Sequence, residues 1–150
     1  MNRLKDLRTY KNLSQEQMGK MLNVSKVTIC NYENEKYEMS TDILCKVAKF
    51  FNTSVDYILC NTNITIPNHL IRRNKRNRLK ELRINNDKTQ KDISDYLYIS
   101  QNGYSDYETG KLDIPYNVLL SLCKYYKTSI DYLLYRTDIA NPYSKINRFL

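Results

Sequence analysis

A twenty-residue stretch occurs twice in this chain, seventy-five positions apart: SQEQMGKMLNVSKVTICNYE from Ser14 to Glu33, and TQKDISDYLYISQNGYSDYE from Thr89 to Glu108. In the first copy, Ser14 followed three residues later by Gln17 is a capping box that opens a helix, with Met18, Met21 and Leu22 on one face. Asn23 suits the left-handed conformation of a tight turn, and Val24 fills the corner. Ser25 then caps a second helix, with Ile29 and Tyr32 inward and Lys26, Val27, Cys30 and Asn31 outward. Gly19 and Ser94 are small where the second helix must cross closely over the first. The pattern predicts a pair of short crossed helices, made twice.

Between Arg3–Ile64 and Arg78–Ile139, 20 of 62 aligned positions are identical without a gap, which duplication explains better than chance. The likeness continues weakly beyond, pairing Pro67 with Pro142, Ile71 with Ile146 and Arg73 with Arg148. A length of 150 residues allows one domain or two. The repeat decides for two: residues 1–66, a basic linker at 67–76, and residues 77–150 including a short carboxyl tail. A unit of this size buries only about 60% of its unfolded surface, enough for a compact helical domain.

Hydrophobic spacing predicts an all-α fold with five helices per unit. The first runs from Asn2 to about Lys11, with Leu4 and Leu7 inward and Arg3, Lys5 and Arg8 interleaved. After the crossed pair comes a polar loop, Asn34 to Met39. Ser40 then caps a helix with the stripe Leu44, Val47, Ala48 and Phe51, and Ser54 caps a short last helix carrying Val55, Ile58 and Leu59. The second unit follows the same plan, with Asp113 and Pro115 in place of the Ser40 cap, Pro being preorganised for a first turn. Its stripe is Leu119, Leu122, Cys123 and Tyr126, then Ile130, Leu133 and Leu134.

The ordered set Gln15, Gly19, Val24, Ser25, Ile29, Tyr32 and Glu33, followed by LCKVAKFFNTSVDYIL, resembles the DNA-binding domains of the phage repressor and Cro (XRE-like) helix-turn-helix family. Gln90, Ser94, Ile99, Ser100, Tyr107, Glu108, Gly110 and Lys111, with LLSLCKYYKTSIDYLL, carry the resemblance in the second copy. It covers residues 2–64 and 77–139. Two departures stand in the second copy: Tyr98 where the family usually has Gly in the turn, and Gly103 with Tyr104 in the middle of the recognition helix. The resemblance implies two tandem five-helix domains in a sequence-specific regulator of transcription, a repressor by analogy, with recognition helices in the major groove of double-stranded DNA. It also implies ion pairs tying the first helix of each unit to the end of its recognition helix, Arg8 with Glu33 and Arg83 with Glu108.

At equivalent outward positions the two heads differ. The expected base contacts are Lys26, Val27 and Asn31 in the first and Gln101, Asn102 and Asp106 in the second. Lys suits the guanine acceptors, Val a thymine methyl, Asn and Gln adenine, and Asp the amino group of cytosine. Gln15, Ser25 and Lys36, with Gln90, Ser100 and Lys111, are the expected phosphate contacts, which position without reading sequence.

Charge supports a polyanionic partner. Of the net charge of +8, residues 67–76 supply four through Arg72, Arg73, Lys75 and Arg76, with no acidic residue among them. A basic connector between DNA-reading heads would neutralise phosphates and release counterions. If extended, ten residues reach at most about 33 to 36 Å, close to the roughly 34 to 36 Å between half-sites one turn apart, but only about 15 Å if helical.

Other classes find little support. No window approaches the roughly 20 apolar residues of a membrane span, and MNRLKDLR is no signal peptide, so a cytoplasmic protein without membrane contact is expected. The four cysteines, Cys30, Cys45, Cys60 and Cys123, show no metal-ligand spacing, and neither a metal nor a cofactor is expected. Cys45 and Cys123 read as small buried thiols, while Cys30 lies near the outward face, where oxidation would weaken DNA binding. One histidine, no GxSxG and no phosphate-binding loop leave no foothold for catalysis. Asp56 and Asp131 read as acidic complements to helix starts. The fourteen tyrosines suggest a stacking platform for single strands, but most sit at core spacing. The main rival is a protein-interaction module, such as an antitoxin or antirepressor, in which one or both copies bind a protein. Whether chains also pair as a homodimer stays open.

Overall fold

The computed structural model describes residues 2–63 and 77–140, which fall in two compact units, Met1–Asn68 and His69–Leu150. The expected linker at 67–76 and the tail beyond Ala140 lie outside the described residues. All regular structure among the described residues is helical. The first unit comprises α1 (Leu4–Tyr10), α2 (Gln15–Leu22), α3 (Lys26–Glu33), α4 (Thr41–Phe50) and α5 (Val55–Ile58). The second comprises α6 (Leu79–Asn85), α7 (Gln90–Leu97), α8 (Gln101–Thr109), α9 (Tyr116–Tyr126) and α10 (Ile130–Leu133).

Local chemistry sets the boundaries. Ser14 Oγ accepts from the Gln17 amide at 3.1 Å, and Gln17 Oε1 accepts from the Ser14 amide at 2.8 Å, closing the capping box of α2. Thr89 and Asp92 do the same for α7. Ser25, Ser40 and Ser54 cap α3, α4 and α5, as Ser100 and Ser129 cap α8 and α10. Each cap satisfies one amide that the helix start leaves without a partner. Asn23 ends α2 at φ 57°, ψ 46°, and Tyr98 ends α7 in nearly the same left-handed conformation, φ 56°, ψ 41°.

Three local expectations are corrected. The first helix is shorter than Asn2 to Lys11, because Arg3 is its amino cap and Lys11 already leaves the helix. Pro115 takes the place of Ser40 as the amino cap of α9, but no side chain caps that helix. Cys45 is half-exposed, whereas Cys123 is buried.

Each core is made of the helical stripes. In the first unit Leu4, Met18, Ile29, Leu44, Val47, Ala48, Val55 and Ile58 are essentially inaccessible to water. In the second, Leu79, Ile93, Tyr104, Leu119, Leu122, Ile130 and Leu133 fill the same places. Each such Leu, Ile, Val or Met side chain contributes about 1.5 to 3 kcal/mol through burial. Leu7 and Phe51 are only half-buried, at the edge of the core.

Sequence periodicity does not show how each unit closes. The amide of Arg3 donates to the Ile58 carbonyl at 2.7 Å. The Arg3 guanidinium lies 4.3 Å from the Tyr57 ring centroid and donates to the carbonyls of Tyr57 and Thr62. Arg78 repeats this against Leu133, Tyr132 and Thr137, and additionally sits 3.9 Å from the Tyr135 ring. The planar guanidinium can stack and donate at once, which a Lys could not reproduce. Asp56 and Asp131 stand in the first turns of α5 and α10, as the reading of acidic complements to helix starts has it, and both are buried. Asp56 accepts from Asn61 Nδ2 at 2.6 Å, and Asp131 pairs with Arg136 Nε at 2.8 Å.

Candidate nucleic-acid interface

The two crossed helices present their outward side chains because their inward ones are committed. On α3, Ile29 is buried, and this turns Lys26 and Val27 to solvent, with Asn31 half-exposed one turn beyond Val27. Residues four apart on a helix share a face, so Val27 and Asn31 form one strip. Val27 is 67% exposed, an apolar side chain that the core does not use. On α8, Tyr104 takes the buried place of Ile29. It leaves Gln101 and Asn102 exposed and Asp106 half-exposed, with Asn102 and Asp106 four apart. α8 runs unbroken through Gly103 to Thr109, one residue further than the equivalent end of α3.

The position of each recognition helix is held by a buried ion pair. Arg8 Nε donates to Glu33 Oε1 at 2.5 Å and Arg8 Nη2 to Glu33 Oε2 at 3.0 Å, a bidentate contact with both side chains largely buried. Arg8 Nη1 also donates to the Leu13 carbonyl, tying in the loop between α1 and α2. Arg83 and Glu108 reproduce the arrangement at 2.5 Å and 3.3 Å. Gln15 and Gln90 join these networks by donating from Nε2 to Glu33 Oε2 at 2.9 Å and to Glu108 Oε2 at 3.0 Å. Each therefore has part of its amide committed inside the unit, at the helix start from which it was expected to contact a phosphate.

Burial pushes the Glu33 carboxyl upward, but the hydrogen bonds from Arg8 and Gln15 outweigh it and hold the group below its ordinary value. In the second unit burial likewise opposes the hydrogen bonds from Arg83 and Gln90, and Glu108 also ends below its ordinary value. Both carboxylates thus remain charged and fixed at neutral pH. This anchors the carboxyl end of each recognition helix.

The remaining expected contacts are placed as follows. Ser25 Oγ accepts from the Thr28 amide at 3.0 Å and lies 2.8 Å from the Thr28 hydroxyl, whereas Ser100 Oγ accepts from the Gly103 amide. Lys36 is exposed just beyond α3, its amide donating to the Asn31 carbonyl at 2.9 Å. Lys111 has the same backbone contact to Asp106 and in addition an ion pair with the Asp106 carboxylate at 3.4 Å. One supporting pair escaped sequence reasoning. Asn2 accepts from the Leu4 amide and donates to the Tyr32 carbonyl, and Asn77 does the same with Leu79 and Tyr107. The signal was present in the identity of Asn2 and Asn77 at the repeat offset.

Among the described residues no group of side chains is arranged to hold a metal ion, and no helix is long and apolar enough to cross a membrane. Two sets of crossed helices, each with an outward strip that the core does not use and an ion pair holding its recognition helix, define a tandem helix-turn-helix protein. The helix-turn-helix family model matches residues 4–58 and again 79–133, and the chain belongs to that family. It is 42% identical over 57 residues to an uncharacterized HTH-type transcriptional regulator of Methanocaldococcus jannaschii, covering 38% of this chain and 86% of that protein. It is 28% identical over 112 residues to the HTH-type transcriptional regulator ImmR of Bacillus subtilis, covering 73% of this chain and 81% of the relative. The HTH-type transcriptional activator BcrR of Enterococcus faecalis is 39% identical over 57 residues, 38% of this chain and 28% of BcrR. No solved structure matches the chain significantly.

Proposed function

We propose that this protein is a regulator of transcription that binds double-stranded DNA sequence-specifically, laying α3 and α8 in the major groove at two half-sites. The outward face of α3 carries the reading: Lys26 and Val27 are exposed and Asn31 is half-exposed, while Ile29 and the Glu33 side chain on the same helix are locked inward. A charged donor, an apolar contact and a bidentate amide are the groups that distinguish base pairs in the major groove, for guanine, a thymine methyl and adenine respectively. Gln101 and Asn102 would pair with adenine in the second half-site, so the preferred operator is composite and imperfectly symmetric. Lys36, Ser25 and Ser100, with the uncommitted part of the Gln15 and Gln90 amides, contact phosphates.

Repression by occupying a promoter is the direction of control that the phage-repressor resemblance supports. Two heads in one chain can fill two half-sites without a homodimer, and sedimentation on a short operator would count the chains. The test of the whole reading is selection of bound duplexes from random DNA by the full chain. A consensus of two unlike half-sites, spaced by about one helical turn or a multiple of it, is expected. Failure to enrich any sequence would overturn the reading, and it would favour the protein-interaction role of an antitoxin or antirepressor.

A further inference from the structure

Past each recognition helix a lysine amide returns to the helix, and the residue it returns to differs in charge between the two units. At the end of α8, Gly110 adopts φ 70°, ψ 22°, and the chain folds back so that the amides of Lys111 and Leu112 both donate to the Asp106 carbonyl, at 2.9 Å and 3.2 Å. This sets Lys111 over the last turn of the helix, and its ammonium lies 3.4 Å from Asp106 Oδ1. In the first unit Glu35 takes the left-handed position at φ 57° and Lys36 makes the same backbone contact to Asn31. The residue at that place, Asn31, carries a neutral amide. The two units thus share the return of the lysine amide to the helix, with a carboxylate in one copy where the other has an amide.

A carboxylate on a face that approaches phosphates is repelled unless its charge is offset. Asp106 is that case. Its side chain is 30% exposed, on the outward strip one turn beyond Asn102, and the cation beside it is 74% exposed. We propose that Asp106 and Lys111 act as one unit, in which Asp106 is a specificity-determining residue that accepts from the amino group of cytosine. In this unit Lys111 is a positioning residue that orients and neutralises Asp106, rather than an independent phosphate contact. An ionised carboxylate only accepts, so it favours a base edge offering a donor, and it disfavours guanine or thymine acceptors at that place more sharply than an amide would. The inference rests on the proposed DNA-binding function and assigns to its second head the chemistry of one base pair.

The test uses the full chain and its selected operator, with every base pair of the second half-site substituted in turn. Asp106→Asn should lower discrimination at one position by about tenfold, the scale of one good base contact. Lys111→Ala should lower discrimination at that same position, Lys111→Arg should retain it, and the double variant should lose no more than Asp106→Asn alone. Lys36→Ala, the control, should weaken all duplexes alike. If Lys111→Ala weakens every sequence equally and leaves the preference intact, Lys111 is an ordinary phosphate contact and the coupled unit is wrong. If Asp106→Asn leaves the preference untouched, Asp106 reads no base. A wild-type chain that binds no duplex selectively would instead refute the DNA-binding function itself. Both side chains lie outside the core, and unchanged melting curves verify that the variants fold.

Discussion

Gly19 lies so close beneath the turn of its own unit that a Cβ there would stand 2.7 Å from the carbonyl oxygen of Val24. Backbone atoms of Ser25 and Lys26 follow at 3.3 Å and 3.4 Å, so no flexible side chain is available to give way. Gly19→Ala gains about 1 kcal/mol of helix propensity, but overpacking against fixed structure costs about 1 to 3 kcal/mol. The variant should melt below wild type. Ser94, the counterpart in the second unit, is buried and donates to the Lys91 carbonyl. Ser94→Ala should therefore cost no more than about 1.5 kcal/mol, the net worth of one hydrogen bond. A Gly19→Ala protein that melts at or above the wild-type temperature would contradict the close crossing.

The Arg8–Glu33 pair gives a second prediction. With Arg8 12% and Glu33 3% exposed, truncating one partner strands the other, and Arg8→Ala should cost up to about 3 to 5 kcal/mol. The pH dependence follows from the lowered carboxyl. The folded state binds the Glu33 proton less readily than the unfolded chain, so the contribution is fully present above the ordinary value of 4.5 and is lost as pH falls below it. Glu108 acts in the same sense. Melting temperatures followed downward from pH 6 should fall more gently for Glu33→Gln than for wild type, from a lower starting point.

Tyr98 is 96% exposed and sits at φ 56°, a conformation that costs a residue with a Cβ about 1 to 2 kcal/mol. Glycine avoids that strain but loses about 0.5 to 1 kcal/mol in chain entropy. Tyr98→Gly should raise the stability of the second unit by up to about 1 kcal/mol, measured by denaturant unfolding. A clear loss would mean that the ring packs on something the exposed position does not suggest.

Elements whose signals are local were legible from sequence. Ser14 with Gln17, and Ser25, Ser40 and Ser54, all cap where they were expected, because a cap needs only a polar side chain next to an apolar stripe. Asn23 turned left-handed for the same local reason. What escaped depends on partners far along the chain. Arg3 reads as a solvated charge until Tyr57, fifty-four residues away, comes under it. Asp131 reads only as an acidic complement to a helix start until Arg136 is seen folded back upon it. Tyr104 counted as a departure from the family pattern, yet it is the core residue equivalent to Ile29. On the candidate site, the outward positions followed from helical spacing alone. That spacing did not show Gln15 spending a donor on Glu33, or Lys111 meeting Asp106.

Lys36 provides the electrostatic prediction. It is exposed just past α3, where a cation would meet the backbone of a duplex held against the recognition helix. Lys36→Ala should weaken binding to all duplexes alike and reduce the slope of log affinity against log salt by about 1. A slope equal to that of wild type would remove it from the phosphate contacts.

The two-headed reading is tested most directly by comparing Asn31→Ala with Gln101→Ala on the operator selected by the full chain, scoring affinity and base preference in each half-site separately. Both variants should bind more weakly, each losing discrimination only in its own half-site, by about 1 to 3 kcal/mol at the position contacted. If Gln101→Ala leaves affinity and preference unchanged while Asn31→Ala impairs both, the second unit does not read DNA and the two-headed reading fails.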